Sequence, residues 1–223
     1  METGSQRFRD LTLGDFTEEL ASAAPVPGGG SASAVAASLG AGLVAMVAAL
    51  STDRPRYAAH AATHADAGAR GRELIDRFLT LADRDSEAYA GFAAALKLPK
   101  NTDEERLARS AALAAAARVA SEVPMACVEA CLELVEAADM LAGRSNVNAA
   151  SDLGVASLLG EAAAQGAAAN VRVNLPSVGD DAFAVDMSAR VDRLLTEVSS
   201  TARRIREVVA AGEARAPLST SNP

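Results

Sequence analysis

The 223-residue chain has no tryptophan, two tyrosines and five phenylalanines, so a flat ring bound to it has few side chains to stack on: Tyr57, Tyr89 or a phenylalanine. Cysteine is nearly missing as well. Cys127 and Cys131 stand one helical turn apart with no second Cys or His pair at metal-ligand spacing. They read as small core residues in a reducing compartment, not as a metal pair. Positive charge is in deficit: 21 Lys and Arg face 29 Asp and Glu, for a formal charge of -8 and a pI near 4.9. A protein that coats phosphate backbones needs a clustered basic excess, so nucleic acid is not an expected partner. The N-terminus carries Glu2, Arg7, Arg9 and Asp10 in place of the basic start and apolar stretch of a signal peptide, which points to the cytoplasm. No β-rich segment, repeat or linker breaks the pattern. The Gly-x-Ser-x-Gly nucleophile turn and the Gly-Lys-Ser/Thr ending of a phosphate loop are also missing.

What is present is helix. One sizeable all-α domain, a single multihelical bundle, is expected over residues 12–212, with a flexible N-terminus at 1–11 and a disordered tail at 213–223. Thr12 precedes Leu13, Phe16 and Leu20 at helical spacing and predicts a short first helix to about Ala24. The segment Pro25-Val26-Pro27-Gly28-Gly29-Gly30-Ser31 then forms a stiff turn, with Ser31 expected as the N-cap of a helix running to Ser51. From Ala32 to Leu50 that helix has no charged residue. Its Ala, Ser and Gly content, with two prolines and three glycines just before it, argues against a membrane span and for close packing against helices in a bundle or a dimer. Further helices are expected at about 56–97, 102–142 with a kink or break near Pro124, 151–169, and 183–211, the last ended by Gly212.

Candidate chemistry sits on two carboxylates. In the third helix Leu74, Phe78, Leu81, Tyr89, Phe92 and Leu96 form an apolar stripe, and Asp85 occupies the position between Leu81 and Tyr89, while Asp83 and Glu87 turn toward solvent. An inward carboxylate is either paired with an arginine or kept for use with its pKa raised by desolvation. Asp152 follows Ser151 at a helix start; it either complements the helix dipole or shares acid and base work in a cleft. The glycine turn offers free backbone N–H groups and a helix N-terminus, able to hold an oxygen without a basic side chain, or it is only a tight connection. Lys97 and Lys100 are the only lysines, and adjacent. His60 and His64 lie one turn apart but lack the glutamate of a zinc-protease motif, and read as a solvated pair.

These motifs together, Pro25 to Ser31, Asp83-Arg84-Asp85-Ser86-Glu87-Ala88-Tyr89, Leu98-Pro99-Lys100-Asn101-Thr102, Val123-Pro124, and Ser151-Asp152-Leu153-Gly154-Val155 through Asn170-Val171-Arg172-Val173-Asn174-Leu175, resemble the formiminotetrahydrofolate cyclodeaminase and methenyltetrahydrofolate cyclohydrolase family, over about residues 12–210. The resemblance implies a helical domain that forms a homodimer through helix packing and acts on one-carbon units carried by tetrahydrofolate, without a metal or a tightly bound cofactor. It implies closure of 5-formimino-tetrahydrofolate to 5,10-methenyl-tetrahydrofolate with loss of ammonia. Opening of the methenyl ring to 10-formyl-tetrahydrofolate is the alternative, and a helical dimer that kept the fold without the chemistry is another. By the same resemblance Asp85 and Asp152 are the acid/base groups, and Pro27, Gly28, Gly29, Gly30, Ser31, Lys100, Asn170 and Asn174 bind the folate. Asn170 lies roughly 27 Å beyond Asp152 on a continuous helix, so the two meet only if that helix breaks or a second subunit supplies one of them. The chain departs from the family pattern at Ser51-Thr52-Asp53-Arg54-Pro55-Arg56-Tyr57, where an acid and a proline replace the usual glycine and basic residues.

Overall fold

The computed structural model describes residues 7–218. Among them six α-helices appear and no strand: α1 Leu13–Leu20, α2 Gly29–Ser51, α3 Ala61–Leu96, α4 Asp103–Leu141, α5 Ala150–Asn174 and α6 Asp181–Ala211. Short 3-10 turns at Pro55–His60, Val147–Ala149 and Leu175–Ser177 join the long helices. α2 packs against α3 and α5, α4 against α3, α5 and α6, and α6 against α5. The core between them is built from small side chains, Ala37, Ala41, Ala130, Ala137, Ala164 and Ala167 among them, with Phe78, Leu134, Leu141 and Leu153 filling the wider gaps.

Local chemistry sets most helix ends. Thr12 with Asp15 and Thr102 with Glu105 make reciprocal capping boxes, and Asp180 accepts from the Phe183 N–H at 3.0 Å. Gly212 ends α6 with φ 65°, a left-handed conformation that side chains resist. α1 stops at Leu20, one turn earlier than its spacing suggests, because the chain needs Ala21 to Gly28 to turn into α2. That turn contains a cis Val26–Pro27 peptide bond.

Four expectations are revised. Ser31 is not a cap: Gly28 is the N-cap of α2, without a side-chain bond, and Ser31 is buried inside the first turn. Pro124 does not break α4, which runs through it for 39 residues. A proline in a helix interior costs about 3 kcal/mol relative to alanine and removes the N–H that would reach the carbonyl of residue 120. The described parts of the terminal segments are also held. The Phe8 N–H donates to Asp83 at 2.8 Å, Arg9 pairs with Asp76, and the Phe8 ring meets Phe16 edge-on. Asp83 is therefore half-buried and engaged, not solvated. At the other end Arg215 N–H donates to Gly143 O at 2.8 Å, and the Arg215 guanidinium pairs with Asp139.

α2 and α4 are long and apolar enough to cross a membrane by length and composition. α2 instead presents one side to α3 and α5, with Ala37, Ala41, Val44 and Val47 fully buried there.

Candidate active site

The first turn of α2 meets the middle of α3, and Asp85 fills the junction. Its carboxylate lies 3.0 Å from the Ser31 hydroxyl, which is also 3.1 Å from Ala82 O, with the Ser86 hydroxyl 3.4 Å away. Gly30 makes the approach possible: a Cβ there would fall 2.5 Å from Asp85 Cγ, inside any allowed contact. The turn therefore serves the protein's own carboxylate, since the first turn of α2 faces Asp85 and the Ser31 hydroxyl binds it. Burial pushes the Asp85 carboxyl above the ordinary carboxylate range, against a smaller downward pull from its hydrogen bonds with Ser31.

Beside this junction opens a cavity of about 330 Å³. Pro25, Val26 and the three glycines form one wall, Asp85, Ala88, Tyr89 and Phe92 of α3 a second, and Ala120 of α4 with Asn170, Val173 and Asn174 of α5 the rest. Among the described residues no lysine, arginine or histidine lines it, and Asp85 is the one carboxyl group of the lining, with no cation opposite. Tyr89 and Phe92 supply aromatic surface; Tyr89 and Leu96, read as stripe residues, are exposed over nearly half of their surface, and Tyr89 also lines the cavity. Asn174 donates to Ala120 O at 2.7 Å and to Asn170 O at 2.9 Å, while Asn170 donates to Gly166 O at 2.9 Å.

Of the site residues expected from sequence, the structure gathers Asp85, Gly28, Gly29, Gly30, Asn170 and Asn174 around this cavity, with Ser31 bound to Asp85 behind it. Pro27 is buried in the turn and is not part of the lining. Lys100 is exposed in the α3–α4 connection, where its carbonyl accepts from Arg106, and is not among the lining residues. Asp152 is at the far end. α5 is continuous from Ala150 to Asn174, so Asp152 and Asn170 are separated by about 27 Å of helix. That end holds its own hollow of about 250 Å³, lined by Arg56, Tyr57, His60, Val147, Ala150 and residues of the C-terminal segment. Tyr57 belongs there, its hydroxyl accepting from Val147 N–H at 3.0 Å.

The histidines also depart from expectation. His64 is buried and bonded at Nε2 to Arg144 O at 2.8 Å, so it is structural and not solvated, while His60 is half-buried and lines the second hollow. Sequence reading missed Ala120 and Val173 as lining residues. Neither side chain carries chemistry, and only Pro124, four residues beyond Ala120, flags that carbonyl.

A bundle with one desolvated, cation-free carboxylate in a cavity of small-molecule size is a site for acid/base work on a ligand. A family model described as Formiminotransferase-cyclodeaminase matches residues 12–193, and the chain belongs to that family. It is 37% identical over 198 residues to a methenyltetrahydrofolate cyclohydrolase of Methylorubrum extorquens, covering 89% of this chain and 95% of that protein. It is 35% identical over 185 residues to the formimidoyltransferase-cyclodeaminase of Gallus gallus, covering 83% of this chain and 34% of the relative, so the chain spans about a third of that protein. The crystal structure of formiminotetrahydrofolate cyclodeaminase from Thermotoga maritima shares the fold, with a TM-score of 0.76 at 24% identity, covering 91% of this chain and 98% of that one.

Proposed function

We propose that the chain is a tetrahydrofolate one-carbon enzyme that uses Asp85 to move protons at the carbon between N5 and N10. The observation that carries this is the lone, half-buried Asp85 in a cavity without a cation. Both candidate substrates bring positive charge: 5,10-methenyl-tetrahydrofolate is a cation, and the formimino group of 5-formimino-tetrahydrofolate is a protonated amidine near neutral pH. A single carboxylate opposite such a group gains a partner on binding and stabilises the charge there.

Hydrolysis of the methenyl ring is the first reading, favoured by the near whole-length likeness to a cyclohydrolase. Water adds to the methenyl carbon and gives its proton to Asp85. The C–N5 bond of the tetrahedral adduct then breaks as Asp85 returns that proton to N5 and the adduct's hydroxyl releases its own proton to solvent as it becomes the carbonyl, leaving 10-formyl-tetrahydrofolate. Cyclodeamination is the second reading, supported by likeness to the cyclodeaminase of Gallus gallus. N10 attacks the formimino carbon and loses its proton to Asp85, the amine leaves with a proton as ammonia, and the methenyl cation results. The two reactions share the same carbon and the same proton carrier. Methenyl absorbance separates them: it falls if 5,10-methenyl-tetrahydrofolate is hydrolysed faster than in buffer and rises if 5-formimino-tetrahydrofolate is closed. No change beyond the uncatalysed rate with either compound refutes the enzyme reading.

A role for Asp152 requires a second copy, and we propose a homodimer through α2 and α5. These neighbouring helices expose Leu39, Met46, Leu50, Val155 and Leu158, and α2 carries no charge. A two-fold axis lying in that interface, perpendicular to the helices, runs the helices of the two copies antiparallel and brings opposite ends together. Asp152 of a second copy would then lie beside the Asp85 cavity.

A further inference from the structure

Pro124 has no role in the proton chemistry, yet it sits buried in the middle of α4 with a consequence at the cavity. A proline lacks the N–H that would bond to the carbonyl four residues earlier, so Ala120 O is left without its helical partner. Ala120 lines the cavity, and its freed carbonyl is taken by the Asn174 side chain at 2.7 Å. Asn174 spends its other amide hydrogen on Asn170 O at 2.9 Å. Both contacts are carbonyl acceptors, so Nδ2 must face them and the amide has one possible orientation. Asn174 Oδ1 receives no hydrogen bond from any described residue, and it is not closed off from solvent. One turn earlier, Asn170 Nδ2 is engaged at Gly166 O, which leaves its Oδ1 in the same situation.

We infer that Pro124 is a positioning residue. By freeing Ala120 O it locks the Asn174 amide, and the Oδ1 atoms of Asn174 and Asn170 form an acceptor pair that recognises two adjacent N–H donors on the ligand. This rests on the folate reading above and deepens it: the edge recognised is the 2-amino and N3–H edge of the pterin, which offers two donors side by side. Asp85, also an acceptor, then meets the cationic one-carbon group at the other end. A ligand whose edge lacks those donors leaves two amide oxygens unpaired and binds less well.

The test compares wild type with Pro124→Ala, which restores the N–H at position 124 and competes with Asn174 for Ala120 O. Dissociation constants are measured for tetrahydrofolate and its 2-desamino-2-methyl analogue, with kcat and KM for the turned-over substrate. Side-chain amide exchange of Asn174 is followed by NMR. Wild type is expected to prefer tetrahydrofolate by about tenfold. Pro124→Ala is expected to lose most of that preference, to raise KM more than it lowers kcat, to speed Asn174 amide exchange, and to melt no lower than wild type. An unchanged preference and unchanged amide exchange in Pro124→Ala overturn the inference, as does a wild type that does not discriminate between the two compounds. A wild type that binds neither overturns the folate reading and with it the recognised edge, while the amide exchange still decides whether Pro124 holds Asn174.

Discussion

Two aspartates reach into this bundle, and their surroundings are opposite. Asp139 on α4 meets the Arg204 guanidinium through two hydrogen bonds and Arg215 through a third, at 3.0 to 3.2 Å. Burial alone would raise its carboxyl, but the hydrogen bonds from Arg204 and Arg215 and their charges hold it below the ordinary carboxylate range. Asp85 on α3 meets only Ser31 among the described residues, and burial raises it. A carboxylate that stabilises the fold has its partners built in. One kept for chemistry is left without a cation, and a cationic substrate supplies what is missing.

The largest expected effect is on Asp85. Asp85→Asn keeps the shape and the Ser31 contact, and is expected to lower turnover by about 10²–10⁴-fold while the protein melts at or above the wild-type temperature near pH 7. Near wild-type turnover would return Asp85 to the structural group with Asp139. Next comes Gly30→Ala, whose Cβ must displace the Asp85 carboxylate; a shift on the order of 1 Å predicts about 100-fold lower kcat/KM in a folded protein. Mixing inactive Asp85→Asn and Asp152→Asn proteins under subunit exchange tests whether the two ends meet across copies. A shared two-fold site restores about a quarter of wild-type activity, because half of the dimers are mixed and one of their two sites is intact. No recovery on verified exchange separates the two ends for good.

Smaller in effect is Asp139→Asn, which should leave kcat/KM within twofold and cost about 1–2 kcal/mol in urea unfolding, with allowance for the partial exposure of Arg204. The pH dependence sharpens the contrast because the two signs differ. Asp139 is depressed in the folded state, so its contribution is present above the ordinary carboxylate range and lost as pH falls through its lowered value. Asp85 is raised, so its contribution is present below the ordinary range and lost as pH rises through its raised value. Unfolding curves between pH 3 and 8 should therefore lose acid sensitivity in Asp139→Asn. In Asp85→Asn they should gain stability on the neutral side. Parallel curves for all three proteins would contradict both assignments.

The sequence by itself determined what depends on a few neighbouring residues. Helical spacing and the lack of strand signals gave an all-α chain, the Thr102 and Glu105 pair opened α4, Gly212 closed α6, and the alternation of Leu81, Asp85 and Tyr89 put Asp85 on the inward side. The ordered motifs carried the family. Only the tertiary structure decided which helix ends meet. Ser31 reads as a cap until α3 brings Asp85 against it. His64 reads as exposed until the Arg144 carbonyl arrives from 80 residues away. Asn170 and Asp152 belong to one helix, yet its unbroken course sends them to opposite ends of the bundle. Pro124 marks a helix interruption in sequence, but the helix continues and the freed carbonyl is answered from α5. Caps and periodicity are settled within one or two turns of chain. The partners of a buried polar group are set by how helices cross, and that depends on close packing across the whole core.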